Sequence, residues 1–93
     1  MRLQSAAYNG HIDVLQFLLE RGADVNGATE DGVTALHFAA LHRQHRVVQW
    51  LLKRGAEPCV ATTGGCTPAH YALYAGDVGL AATLHEAAAA ASA

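Results

Sequence analysis

The sequence predicts an all-α repeat solenoid, a stack of helix-turn-helix units joined by β-hairpin-like fingers. Three observations carry that prediction. The block Gly32-Val33-Thr34-Ala35-Leu36-His37-Phe38-Ala39-Ala40 recurs downstream, where Gly65, Thr67, His70 and Ala72 repeat Gly32, Thr34, His37 and Ala39, each 33 residues on. The same step taken upstream sets Leu36, Ala39, Ala40, Val47, Leu51, Leu52, Gly55 and Ala56 on Leu3, Ala6, Ala7, Val14, Leu18, Leu19, Gly22 and Ala23. Within each block the apolar residues recur at i, i+3 and i+4, which is helical spacing. A fixed period of this length marks a solenoid whose units are too small to bury a core alone. The search for function therefore moves from a pocket to a surface.

The first helix is expected over Arg2 to Tyr8, with Leu3, Ala6 and Ala7 facing inward, and Asn9-Gly10 ends it. A second runs from Ile12 to Arg21 on the apolar stripe Val14, Leu15, Leu18 and Leu19, broadened by Phe17, until Gly22 stops it. Asp13 sits near its positive N-terminal end. From Ala23 to Val33 the chain is rich in turn residues, including Asn26-Gly27 and Asp31-Gly32, both of which tolerate positive φ. Thr34 is of the right type to cap the next helix.

The middle unit repeats this order, with helices over Ala35 to His42 and His45 to Arg54, the second again stopped by a glycine, Gly55. Trp50 falls where Phe17 fell and is assigned to the core. One departure stands out: Arg43 occupies the inter-helix position held by Gly10 and Gly76 in the flanking units. A non-glycine residue at positive φ costs on the order of 1 kcal/mol, so this turn is either strained or differently shaped. In the last unit Thr67 caps a helix opened by Pro68, which suits a first helical position. Its second helix is eroded by Gly79, Thr83 and His85 and has no glycine stop, so it is expected to run on into Ala87 to Ala91. A less apolar outer helix suits a terminal unit whose far side meets water.

The expected organisation is a single domain over residues 1–93: a partial first unit at 1–28, a second at 29–61, and a third at 62–93 acting as a C-terminal cap. The first unit reads as interior sequence without its leading hairpin, so the chain is expected to be the tail of a longer array. A chain of this length buries about 60–65% of its unfolded surface, and stability must be shared along the stack. A net charge of -2 provides no basic field for nucleic acid or an anionic membrane. No apolar run approaches the ~18 residues needed to span a bilayer, and Met1-Arg2-Leu3 leads straight into repeat sequence. A soluble monomer of the cytoplasm or nucleus is the expectation. Cys59 and Cys66 fit that setting as thiols rather than a disulfide.

Together these residues give the pattern Gly-x-Thr-Pro-x-His, Ala-Ala, Val-Val-x-x-Leu-Leu, Gly-Ala-Asp-x-Asn, which resembles the ankyrin repeat over essentially the whole chain. Ala35 in place of proline, Arg43, Ala69 in place of leucine and the eroded last helix depart from it. The resemblance implies layered helix pairs, fingers projecting at an angle, and a concave surface of fingers and first helices that binds protein partners. It also implies that His37 and His70 hydrogen-bond backbone within and between fingers. Structural roles are thus expected for Thr34, His37, Thr67, His70, Gly22 and Gly55.

No serine, cysteine or carboxylate recurs at a spacing that would complete a catalytic group around these histidines, so no enzyme and no cofactor is expected. His42 and His45 lack a third ligand of comparable quality, and no metal site is assigned. The residues that vary on the expected concave face are Tyr8, Asn9, Glu30, Asp31, Val33, Leu41, His42, Thr63, Cys66 and Tyr74. They mix tyrosine, aliphatic and acidic side chains as protein-binding surfaces do, with Tyr8 and Tyr74 as anchors; the other reading is that these aromatics simply pack along helix rims. The leading expectation is an adaptor or scaffold module binding a protein. Two alternatives stand beside it: an inhibitor that occludes a partner enzyme, and a substrate for asparaginyl hydroxylation at Asn26, whose surroundings look like ankyrin contexts modified by a 2-oxoglutarate-dependent oxygenase. The competing reading of Asn26 is a turn residue bonding its own hairpin.

Overall fold

The computed structural model describes residues 3–92. These form six helices: α1 (Leu3–Tyr8), α2 (Ile12–Glu20), α3 (Ala35–Leu41), α4 (His45–Lys53), α5 (Pro68–Tyr74) and α6 (Val78–Ser92). Arg2, the expected start of the first helix, lies outside the described residues. Three helices end one residue earlier than the periodicity suggests, because Arg21, His42 and Arg54 serve as C-caps. The last helix does run on through the alanines. Helices α1, α3 and α5 pack side by side as an inner layer, and each unit's second helix packs against its first.

Small side chains make that inner layer possible. Ala6, Ala7, Ala39, Ala40 and Ala72 are wholly buried, and their size lets neighbouring helices approach closely. Leu15, Leu36, Leu51 and Leu84 fill the space between the layers together with Val47 and Val48, all wholly or almost wholly buried. Phe17 departs from the expected core, being 52% exposed, whereas Trp50 is partly buried and packs against the core. On a helix Phe17 lies well round from the stripe that includes Leu15 and Leu18, while Trp50 stands one turn after the buried Val47, at the edge of its own stripe. Each ring has a guanidinium group over one face, Arg21 at 4.7 Å from Phe17 and Arg54 at 4.8 Å from Trp50.

Each turn between paired helices has one geometry. In the middle unit Arg43 N–H donates to Ala40 O and Gln44 N–H to Ala39 O, the same pair of bonds that closes α1 around Gly10 and α5 around Gly76. Arg43 has φ 54°, the one positive φ outside glycine among the described residues. The turn is thus the ordinary shape, held under strain. Gly22 and Gly55, at φ 94° and 92°, close α2 and α4 in the same manner.

The fingers contain no strand among the described residues, only an isolated antiparallel bridge between Ala28 and Thr34. Thr29 N–H donates to Val33 O at 3.0 Å, and the tip is closed by Gly32 N–H on Thr29 O at 2.9 Å. Of the two glycines in this connection only Gly32 takes positive φ, at 79°. It also passes close to the next finger, where a Cβ would stand 3.3 Å from Thr62 Cα. Thr62 N–H on Cys66 O and Gly65 N–H on Thr62 O repeat the motif in the third unit, and Thr63 N–H on Asp31 O, at 2.9 Å, joins the two fingers.

Candidate functional site

The histidines that open α3 and α5 are built into the backbone. In the middle unit Thr34 N–H donates to His37 Nδ1 at 3.1 Å, and His37 N–H reaches back to Thr34 Oγ1 at 3.5 Å. With Nδ1 accepting, Nε2 carries the proton and donates to Cys66 O, 3.0 Å away in the third unit. Burial holds the His37 pKa below the usual histidine value, although the carbonyls of Cys66 and Val60 favour the charged ring and offset part of the effect. Thr67 and His70 form the same capping box at α5, but His70 is exposed.

The Asn26 side chain is bonded across units. Its Nδ2 donates to Gly55 O at 3.2 Å, and its Oδ1 accepts from Glu57 N–H at 2.8 Å. Asp24 Oδ1 fixes the Asn26 backbone through its N–H at 2.9 Å. One period later the thiol of Cys59 takes over the first of these bonds, with Sγ 3.6 Å from Ala88 O. Cys59 and Cys66 are not joined as a disulfide.

The residues expected on the concave face divide into two clefts and a rim. Tyr8 and Asn9 border a cleft of about 360 Å³ with Gln4, Ser5 and Phe38. Leu41, Cys66 and Tyr74 border another of about 350 Å³ with His70 and Tyr71. His42 lies over Tyr8, with ring centroids 3.5 Å apart and planes tilted by 37°. Glu30, Asp31 and Thr63 are exposed on the fingers, and Val33 is half-buried at the base of the middle one. Glu30, Asp31, Val33, His42 and Thr63 line neither cleft.

The sequence reading missed Phe38 and Tyr71, which with Ser5 occupy one position of the 33-residue period. They stand one helical turn before the Tyr8, Leu41 and Tyr74 position, hence on the same face. That i−3 relation was the available signal. Phe38 meets Tyr8 edge-on at 6.0 Å, and Tyr71 meets His37 edge-on at 5.0 Å, so the aromatics of the surface rest on the structural frame.

His42 and His45, the pair weighed for a metal, go separate ways. His45 Nε2 lies 2.5 Å from Asp77 Oδ2, linking the start of α4 to that of α6, while His42 stacks on Tyr8. Among the described residues no three histidine, cysteine or acidic side chains gather as a metal site. No described helix is long and apolar enough to cross a membrane.

A stack of paired helices with projecting fingers defines a helical repeat solenoid. The profile of the family described as "Ankyrin repeats (many copies)" matches residues 3–52 and 43–85, and the chain belongs to the ankyrin repeat family. Its members are in general protein–protein interaction modules on a non-catalytic fold. The chain is similar to ankyrin repeat domain-containing protein oryK of Aspergillus oryzae, at 46% identity over 44 residues, covering 47% of this chain and 7% of that protein. It is also similar to the E3 ubiquitin-protein ligase mind-bomb of Drosophila melanogaster, at 49% identity over 39 residues, covering 42% of this chain and 3% of that protein. The chain thus matches only a small part of the length of either relative.

Proposed function

We propose that the chain is a protein-interaction module that engages a protein partner through the concave surface of its fingers and inner helices. The observation that carries this reading is Tyr74. It is 88% exposed yet borders an apolar cleft with Leu41 and Tyr71, so its ring adds nothing to the core and is available to a partner. Tyrosine offers a large, stiff, amphipathic contact area and is enriched where binding energy concentrates. Tyr8, Asn9, Leu41, His42 and Cys66 extend the surface, with Glu30, Asp31, Val33 and Thr63 along its finger side.

A photo-crosslinking residue placed at position 74, and in a second protein at the exposed outer-helix position Gln49, tests the reading in the native cell. A discrete adduct from position 74 that disappears on Tyr8→Ala, with none from position 49, is the expected result. Equal labelling from both positions, or labelling from 49 alone, overturns it.

A further inference from the structure

Resting on that reading, we infer that the partner of the concave surface is a cationic peptide segment, one that sets an apolar side chain beside arginine or lysine. The apolar half of the argument is the cleft lined by Leu41, Cys66, His70, Tyr71 and Tyr74, which has room for one large side chain. Phe38 and Tyr8 continue the same face across the neighbouring cleft.

The charged half comes from where the formal charges lie. Every described lysine and arginine belongs to the outer layer: Arg21 caps α2, Arg46 and Lys53 lie on α4, Arg54 caps it, and Arg43 stands in the turn before it, near Asp77. None lines either concave cleft. The finger beside those clefts carries Glu30 and Asp31, both exposed. Neither carboxylate is ion-paired, since among the described residues the one ion pair is His45 with Asp77. Two guanidinium groups, by contrast, are already engaged over Phe17 and Trp50 on the outer layer.

On the outer layer the described cations mix with Asp13, Glu20 and Glu86, whereas the fingers beside these two clefts carry Glu30 and Asp31 with no described lysine or arginine lining the clefts. Such an asymmetry orients an approaching partner and selects its charge. An acidic segment would meet like charge at the fingers with no cation among the described residues to receive it, which costs affinity. A cationic segment places its charge at Glu30 and Asp31 while its apolar side chain enters the cleft at Tyr74.

Selection of a random twelve-residue peptide library on the whole chain tests this, with affinities of enriched peptides measured by fluorescence anisotropy at low and high salt. Peptides carrying arginine or lysine beside leucine or an aromatic residue are expected, bound more weakly as salt rises. The double variant Glu30→Gln, Asp31→Asn should weaken them about 3–10-fold at low salt and leave helical circular dichroism unchanged. Neutral or acidic peptides that are lost on Tyr74→Ala would overturn the charge assignment while leaving the concave site in place. Peptides indifferent to Tyr74→Ala, or no enrichment at all, would overturn both.

Discussion

His37 Nε2 lies 3.0 Å from the carbonyl oxygen of Cys66, so a side chain that opens the middle unit's inner helix holds the base of the next unit's finger. The bond requires a neutral ring whose Nδ1 accepts from Thr34 N–H. Because burial depresses the folded-state pKa of His37, the unfolded chain binds that proton more readily than the native one. This contribution to stability is complete above the unfolded value of about 6.5 and is lost as pH falls below it toward the folded pKa. The urea midpoint should therefore drop between pH 7.5 and pH 5, followed by circular dichroism and Trp50 fluorescence. The His37→Gln variant should flatten that dependence. Asp77, held below the usual carboxylate range mainly by the Leu80 N–H it accepts, adds a loss of its own only in more acid solution.

Arg43→Gly should stabilise the protein. Arg43 sits at φ 54° in a turn whose hydrogen bonds match those around Gly10 and Gly76. Relief of the left-handed strain is worth about 1 kcal/mol, less some entropy regained by the unfolded chain. A raised melting temperature with unchanged circular dichroism is the expected outcome. A lower one would mean that the arginine contributes a contact exceeding the strain.

Much of this architecture is legible in the sequence because a repeat writes the same physical demand more than once. Ala6 and Ala39 mark the close inner layer, and Thr34 with His37 and Thr67 with His70 mark two helix starts. What a single unit's pattern does not hold is the direction of a flanking residue. Phe17 extends its stripe in composition, yet the helix turns it outward to be covered by Arg21. Asn26 reads as local turn chemistry, while its partners lie 29 and 31 residues away and become visible only when two units are stacked. The proposed binding face is half legible: the Tyr8, Leu41 and Tyr74 position stands out by its variation. Phe38 and Tyr71 are masked by their nearness to the buried His37 and Ala72.

Asn26→Ala should loosen the joint between the first and middle units. It removes the acceptor for Glu57 N–H and the donor to Gly55 O together. Partial exposure lets water replace some of what is lost, so a cost of about 1–2 kcal/mol is expected. Faster amide exchange at Glu57 would report the loss directly, since that N–H is released to solvent. Asn26→Asp keeps the acceptor and should protect the Glu57 amide while still forfeiting the bond to Gly55.

The contrast between Leu51 and Phe17 tests which apolar residues hold the stack together. Leu51 is wholly buried between the layers, and Leu51→Ala should cost about 2–5 kcal/mol through lost burial and the cavity left behind. Phe17 is the larger side chain but is 52% exposed, with Arg21 rather than a neighbouring helix over its ring. Phe17→Ala should cost no more than about 1 kcal/mol, most of it from the cation–π contact and the partial burial of one ring face. Urea melts of the two variants check this. A loss at Phe17 as large as that at Leu51 would place the ring in the core after all and would assign the outer face of α2 a packing partner.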